Sequence, residues 1–300
     1  MQQRRGIWYG VTAYVIWGLS PIFWNAIEDV PALELLAHRV LWSIPLLLLV
    51  IAVRHRWSIL RHAYASRRTV VVAAVSGILV GINWGVFVWA ATSGHIVDAS
   101  LGYYINPLVS VALGVVVLRE HLTIGARIAV GIAAVGVAVM AISIGVVPWV
   151  SLTLAFAFGF YGLMKKRPDA APPIEGLLGE TVTVAVPLAV VVVLLTANGD
   201  SSFGTTTTTS VLLALGGAVT VVPLLLFGGA AQRIPLSMVG LLQYLTPTIQ
   251  LIIGVTLYDE TMSGGRVFGF VMVWIALAVY TADSLRNARR ARMVAGPVGS

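Results

Sequence analysis

The chain has 300 residues, of which 58% are hydrophobic and only 10% are charged, and its mean hydropathy is +0.93. Soluble domains are about 45–50% apolar and roughly 25% charged, so this composition excludes a soluble globular, disordered or fibrous protein. The net charge of +7 comes from short basic clusters between long apolar runs, which is typical of a multi-pass membrane protein and does not indicate a nucleic-acid partner.

Ten apolar segments are candidates for membrane-spanning helices, because about 20 apolar residues cross the hydrocarbon core. They cover residues 7–25, 32–53, 69–92, 98–118, 124–146, 148–164, 174–196, 209–230, 236–257 and 266–284. The runs are continuously apolar, whereas the strands of a membrane β-barrel alternate. The sequence therefore predicts an all-α integral membrane protein with ten transmembrane helices in contact with the lipid bilayer.

The basic residues predict the orientation of the spans. If the spans alternate in direction, all but two of the 19 Lys and Arg residues lie on one side. The exceptions are Arg39, within the second span, and Arg266, on the other side, where the loops carry Glu28, Asp29 and Asp200 instead. By the positive-inside rule we expect a plasma-membrane protein with both termini in the cytoplasm.

The second half of the chain resembles the first when residue numbers are shifted by 140, and an early segment matches at a shift of 141. The pairs include Gly77 with Gly217, Phe87 with Phe227, Tyr104 with Tyr244, Pro107 with Pro247, Glu120 with Glu260 and, in the early segment, Gly18 with Gly159 and Glu34 with Glu175. Each unit contains five spans, so the second unit enters from the opposite side, an architecture common in secondary transporters. The predicted units are 6–146 and 147–285, followed by a basic cytoplasmic tail, 286–300. The alternative is that apolar helices look alike by composition.

Two prolines lie near the middle of equivalent spans, Pro107 and Pro247. Proline has no N–H, so the carbonyls of Tyr103 and Gln243 lose their usual helical partners, and this predicts broken helices at both positions. Polar residues share a face with each proline: Tyr103, Asn106 and Ser110 in one span, and Gln243, Thr246 and Gln250 in the other. We expect these stripes to line a central cavity, although polar contacts between helices are an alternative.

Ionisable residues inside spans are costly and are therefore functional candidates. Arg39 is about seven residues from the outer end of its span, roughly 10 Å deep. At the shift of 141 residues that relates the early segment to the second half, the counterpart of Arg39 is Glu180, near the inner end of the seventh span. We expect the two charges to face one cavity from opposite ends. Alternatively, Arg39 extends outward to the carboxylates of the outer loop, and His38 either carries a proton or packs.

Other sequence features limit the kinds of chemistry that the chain can perform. Asn83, within the third span, needs hydrogen-bond partners and is expected to face inward. The chain has no cysteine, no nucleotide-binding glycine loop and no metalloprotease motif, so no cofactor or metal is predicted. Five histidines are scattered over different spans and loops, which argues against catalysis.

Several strings resemble RarD-type permeases of the EamA family, in the drug/metabolite transporter superfamily. They are 14–21 (YVIWGLSP), 34–43 (ELLAHRVLWS), 83–84 (NW), 100–108 (SLGYYINPL), 160–163 (FYGL) and 175–180 (EGLLGE). The resemblance covers about residues 6–285 and implies two inverted EamA units around a central cavity. The candidate cavity residues are Trp17, His38, Arg39, Asn83, Trp84, Tyr103, Asn106, Pro107, Glu180, Gln243, Tyr244, Thr246 and Pro247.

The expected function is secondary active transport of a small metabolite or drug by alternating access, with proton coupling or exchange as options for the driving force. The partner is a small-molecule substrate, and the sequence leaves a monomer and a homodimer open. The alternative is a membrane-embedded enzyme that modifies lipid, which would need nucleophiles, bases or metal ligands clustered near one interface.

Overall fold

The computed structural model describes residues 2–93, 95–144, 149–258 and 264–294, and these residues form thirteen α-helices and no β-strand. The helices are α1 (Gln2–Asn25), α2 (Ala32–Leu41), α3 (Ser43–Val53), α4 (Trp57–Tyr64), α5 (Arg67–Thr92), α6 (Ile96–Val116), α7 (Ile124–Ile144), α8 (Trp149–Met164), α9 (Pro173–Asn198), α10 (Thr207–Ala231), α11 (Leu236–Gln243), α12 (Leu245–Leu257) and α13 (Gly264–Val294). The predicted all-α class is therefore confirmed.

Eight helical stretches in the described residues are long and apolar enough to cross a membrane. They are α1, α2 with α3, α5, α6, α7, α9, α10, and α11 with α12. Two further apolar stretches are shorter, α8 and the Val267–Asp283 part of α13. The chain is a multi-pass membrane protein, and its long helices coincide closely with the predicted spans.

Two stretches differ from the prediction. Residues 54–68, expected to be a connection, contain the helix α4, whose Trp57 and Ile59 are exposed. An eight-residue helix is too short to register as a span. The backbone of α13 continues to Val294, so part of the predicted tail is helical. The junction between the fifth and sixth predicted spans at 145–148, the side chain of Arg266 and residues 295–300 lie outside what the structure describes.

The prediction of two equivalent broken helices is half wrong. α6 runs through Pro107 without interruption, whereas the ninth span is interrupted at Tyr244, between α11 and α12. The second span is also interrupted, at Trp42. Pro187 likewise lies inside a continuous helix. Proline alone does not break these helices, because neighbouring helices can satisfy the backbone groups that it frees.

The bundle has two ends that can be recognised by their contacts. At the end where α1 begins, called here the N-terminal end, Lys166 Nζ donates to the Ile234 carbonyl at 2.5 Å. At the other end, called the far end, the Glu34 carboxylate accepts hydrogen bonds from Ser201 and Ser202. Between them the most extensive helix contacts are α7 with α13, α6 with α8, and α1 with α10. These contacts enclose the core and leave a central opening.

Candidate functional site

A cavity of about 820 Å³ lies between α1, α2, α5, α6, α10 and α12. It extends from the proline segments in mid-span to the far end, where Glu28 and Tyr258 are among its lining residues. Most of the candidate residues line it: Trp17, Arg39, Asn83, Trp84, Tyr103, Asn106, Gln243, Thr246 and Pro247. The fold thus brings residues from both predicted units to one space.

Four candidate residues lie elsewhere. His38 is buried and stacks on Phe203, with ring centroids 5.0 Å apart. Tyr244 is fully buried, and its hydroxyl donates to the Tyr104 carbonyl at 3.3 Å. Pro107 lies against α11, and Glu180 lies beyond the closed end of the cavity. Whether a side chain reaches the cavity depends on its direction within one turn of the helix. The spacing of residues along the sequence does not determine that direction.

Arg39 lies on the cavity wall beside two tryptophans. Its guanidinium carbon is 4.6 Å from the ring centroid of Trp84 and 5.7 Å from that of Trp24. Both distances are within cation–π range. Its Nε atom is buried without a hydrogen-bond partner, and no acidic group in the described part of the chain pairs with the side chain. The outward ion pair considered from the sequence is not formed.

The polar stripes serve both cavity and packing. Asn83 Nδ2 donates to the Leu154 carbonyl at 2.9 Å, and Thr246 Oγ1 donates to the Tyr14 carbonyl at 2.9 Å. These bonds tie α5 to α8 and α12 to α1. Gln243 differs, because its Oε1 atom is buried and has no donor. Among the described residues that line the cavity, three therefore have a buried polar atom without a hydrogen-bond partner: Tyr14, Arg39 and Gln243.

Five aromatic rings close the cavity on the side of the N-terminal end. This aromatic floor consists of Tyr14, Trp17, Phe158, Tyr161 and Phe227, with centroids of packed pairs 5.1–6.4 Å apart. Trp17 and Phe158 line the cavity, whereas Tyr161 and Phe227 are buried beneath it. The cavity therefore has access from the far end and a floor in mid-bundle.

A buried ion pair lies below the floor. Lys165 Nζ is 2.5 and 2.6 Å from the two carboxylate oxygens of Glu180, and Tyr161 donates to the same carboxylate at 3.0 Å. Both charged side chains are only 5% exposed. From the sequence, Lys165 is one of the basic residues expected on the cytoplasmic side, and this contact is not predicted. The available signal is its spacing of one helical turn from Tyr161, which puts both residues on one face.

Each end of the bundle also has a buried glutamate that holds a loop. Glu34, near the start of α2, accepts from the Ser201 and Ser202 hydroxyls at 2.9 and 2.8 Å and from the Ser202 N–H at 2.7 Å. Glu175, near the start of α9, accepts from Arg56 at 2.6 and 2.9 Å. The hydrogen bonds to Glu175 raise the pKa of the Arg56 guanidinium. We call these two contacts the glutamate clamps.

Close to the second clamp, Tyr64 of the short helix α4 donates from its hydroxyl to the Glu175 carbonyl at 3.0 Å. Burial raises the pKa of this tyrosine to about 12, so the phenol is neutral and can donate at physiological pH. In the described residues no three His, Cys, Asp or Glu side chains come together as metal ligands.

Fold and site together define a class, a multi-pass helical membrane protein built around a central cavity. The EamA-like transporter family matches residues 4–142. Protein RarD of Streptomyces exfoliatus is 43% identical over 97% of this chain and 92% of that protein. Protein RarD of Escherichia coli K12 is 37% identical over 96% of this chain and 98% of that protein.

The chain belongs to the EamA-like transporter family and is a RarD-type permease of the drug/metabolite transporter superfamily. A solved crystal structure aligns with 92% of this chain and 97% of its own, with a TM-score of 0.73 at 18% identity, a likeness that shows the fold alone. The protein is accordingly a membrane transporter.

Proposed function

We propose that this transporter is secondary active and moves a small metabolite or drug through the central cavity by alternating access. The observation that carries the proposal is a cavity that reaches one end of the bundle and stops at the aromatic floor. Alternating access needs such a site, open to one side at a time. Trp17 and Phe158, which line the cavity and lie 5.9 Å apart, belong to the floor that would have to part in the other state.

The proposed architecture is ten spans in two inverted units, 6–146 and 147–285. Helix packing supports it, because contacts recur in repeat-related pairs. α6 packs on α8 as α12 packs on α1, α5 packs on α8 as α10 packs on α1, and α5 packs on α9 as α10 packs on α2. Unrelated helices with similar composition have no reason to repeat the same set of neighbours.

Close glycine contacts support the repeat at the level of residues. A β-carbon at Gly77 would lie 2.8 Å from that of Thr183, and a β-carbon at Gly217 would lie 2.9 Å from that of Trp42. Gly217 is the repeat counterpart of Gly77, and Thr183 is the counterpart of Trp42 in the early segment. Residues related by the repeat thus meet at both contacts, which supports the proposed repeat.

The proposed orientation has the N-terminal end in the cytoplasm of a bacterial cell. Basic residues support it, since the loops at this end hold Arg54, Arg56, Lys166 and Arg167. The cavity then opens outward. Reporter fusions after residues 28, 96 and 200 should score external, and those after 62, 167 and 290 internal. A systematic reversal would contradict the orientation.

Glu180 is the proposed site of proton coupling. Protonation would remove its charge from the ion pair with Lys165 and so weaken the closed end. Glu180→Gln mimics the protonated form and should make transport less dependent on a pH gradient. Wild-type pH dependence in this variant would exclude Glu180 as the coupling group and leave exchange as the alternative.

The decisive experiment is uptake by the purified full-length chain in liposomes, with and without a pH gradient. A defined mixture of small metabolites would be presented, and the solutes retained would be identified by mass spectrometry. We expect at least one solute to accumulate above the level in protein-free liposomes. If none does under either condition, transport by this chain alone is contradicted.

Cysteine labelling tests which residues form the cavity, because the chain has no native cysteine. Single cysteines at Tyr103, Asn106, Gln243 and Thr246 should react with a polar maleimide. A cysteine at the exposed, membrane-facing Val190 should react poorly. If none of the four positions reacts in any state, the polar stripes serve packing only.

A further inference from the structure

Arg39 presents a charge to the cavity that the protein does not neutralise. Among the described residues that line the cavity, the other charged side chain is Glu28, which is exposed at the far end and makes no ion pair with Arg39. Glu180, by contrast, is held by Lys165. An unpaired cation within a span is expensive to keep and is a functional candidate by default.

The tryptophans beside Arg39 stabilise its charge but do not satisfy its hydrogen-bond donors. Trp84 and Trp24 contact the guanidinium through their rings, which attract a cation electrostatically. A guanidinium has five N–H donors in one plane; the Nε–H of Arg39 is buried and unbonded, so the donors that a solute can reach are those of the Nη atoms. This plane of donors matches the two oxygens of a carboxylate, which Arg binds with two parallel hydrogen bonds.

The rest of the cavity favours a solute with one negative charge and an apolar body. Arg39 is the one cation among its described lining residues, so the protein offers no second charge for a phosphate or a dicarboxylate. Trp17, Trp84, Phe87 and Phe158 present aromatic surface to the same space. Gln243 also lines this space, and its buried Oε1 atom has no donor within the protein.

We propose that the cavity binds an organic monocarboxylate, with the carboxylate on Arg39 between Trp24 and Trp84 and an aromatic or apolar body against the neighbouring rings. The proposal rests on the transport function proposed above and deepens it by naming the substrate class. Arg39 is then the residue that selects for negative charge, and the tryptophans position its guanidinium.

Matched pairs of small aromatic probes test this assignment. Benzoate and phenylacetate carry the carboxylate, whereas benzamide and phenylacetamide have the same shape without the charge. Binding to the full-length chain in detergent would be followed by quenching of tryptophan fluorescence, since Trp24 and Trp84 lie at the site. We expect the acids to bind about tenfold or more tightly than the amides, because a bidentate charged pair is about twice as strong as neutral hydrogen bonds.

Variants assign the preference to Arg39. Arg39→Gln should remove the preference for acid over amide, and Arg39→Lys, which keeps the charge but not the fork of donors, should retain part of it. Arg233→Gln is the matched control, because Arg233 also contacts an aromatic ring, Tyr9 at 5.4 Å, but does not line the cavity. The control should keep the wild-type preference.

In the binding assay, three results would overturn the proposal: equal binding of acids and amides, a preference that survives in Arg39→Gln, or no binding of either acid at millimolar concentration. If Arg39→Gln does not fold, the comparison of acids with amides in the wild type and in Arg39→Lys decides the case. Uptake measurements distinguish a failure of this proposal from a failure of the proposed transport function. Arg39-dependent binding without uptake contradicts transport, whereas uptake of neutral or cationic solutes that is unchanged in Arg39→Gln contradicts the substrate class.

Discussion

The pair Trp24 and Arg39 and the pair Lys165 and Glu180 are related by the same shift of 141 residues and are counterparts in the proposed repeat. In the first half a tryptophan from the end of the first span contacts a cation that lines the open cavity. In the second half a lysine from the end of the equivalent span forms a buried ion pair with a carboxylate. Positions that correspond in the proposed repeat thus expose a charge in one case and neutralise it in the other.

The glutamate clamps show the same contrast between corresponding positions with different partners. Glu34 and Glu175 are also counterparts in the repeat, and both side chains are completely buried. One holds a loop through hydroxyls and a backbone N–H, and the other holds a loop through an arginine. Each clamp joins a helix of one proposed unit to a loop of the other. Residues that correspond in the proposed repeat can therefore have different chemical partners at the two ends of the bundle.

The largest effect is expected from breaking the closed-end ion pair. Lys165→Met leaves the Glu180 carboxylate buried with one neutral donor, Tyr161. Removing one partner of a buried pair typically costs about 3–5 kcal/mol, so we expect a clearly lower thermal unfolding temperature in detergent. The corresponding change at the far end, Trp24→Met, removes no oppositely charged partner and should lower the unfolding temperature much less.

The double variant Lys165→Met with Glu180→Gln is the control for this prediction. It removes both charges, so most of the lost stability should return. If the single variant is as stable as the wild type, or if the double variant is no better than the single one, the ion pair does not hold the closed end.

The next largest effect is expected from glycine substitutions that test whether the two proposed halves are packed equivalently. A β-carbon at Gly77 would lie 2.7 Å from the Glu180 carbonyl oxygen, and one at Gly217 would lie 2.7 Å from the backbone carbon of Trp42. Backbone cannot move aside cheaply, so Gly77→Ala and Gly217→Ala should each destabilise by about 1–3 kcal/mol. The unfolding temperature of purified protein measures both.

Gly85→Ala is the matched control on α5, because nothing lies within 4 Å of a β-carbon there. This change should be neutral or slightly stabilising, since alanine favours helix. A large loss at Gly77 without one at Gly217, or the reverse, would contradict equivalent packing in the two halves.

A smaller effect is expected from replacing two residues near the far end by their counterparts from the closed end. Trp24→Lys with Arg39→Glu installs the equivalent of the Lys165–Glu180 pair beside the cavity. The new pair should favour closure of the far end and slow maleimide labelling of a cysteine at Gln250, a cavity residue, by about tenfold, which corresponds to about 1.4 kcal/mol. Unchanged labelling would show that the pair does not decide which end closes.

The smallest effect distinguishes the two glutamate clamps. The Arg56 side chain is 27% exposed, so Arg56→Gln should cost less than about 1 kcal/mol, and molar salt should remove most of the difference from the wild type. Glu34→Gln should cost about 1 kcal/mol independently of salt, because its hydrogen-bond partners are neutral donors and His38, 3.7 Å away, is charged only when protonated. Unfolding temperatures at low and high salt measure both, and equal salt dependence would contradict the contrast.

The long helices are predictable from the sequence because the thickness of the membrane sets their length. The positions of their side chains are less predictable. Depth alone identifies Arg39, yet its partners, Trp24 and Trp84, come from other helices. Glu180 is expected on the cavity and lies below the aromatic floor, because Lys165 at a helix end turns inward to it. Hydropathy identifies spans, but partner choice depends on how the helices are rotated.

The interruptions show a similar limit. Pro107 and Pro247 are equivalent in sequence, but only the second lies beside a helix break. The helix α4 escapes detection because a short amphipathic helix resembles a loop in a hydropathy profile. Neighbouring helices determine whether a proline is tolerated, and no single segment contains that information.

The aromatic floor also has an electrical consequence. Water in the cavity conducts, so the potential of an energised membrane falls mainly across the closed part of the bundle between the floor and the N-terminal end. A charge that crosses the whole potential gains or loses about 2.3 kcal/mol per 100 mV. Lys165 and Glu180 lie in this steep field as a neutral pair and experience little net force. Any event that removes one of the two charges turns the other into a voltage sensor.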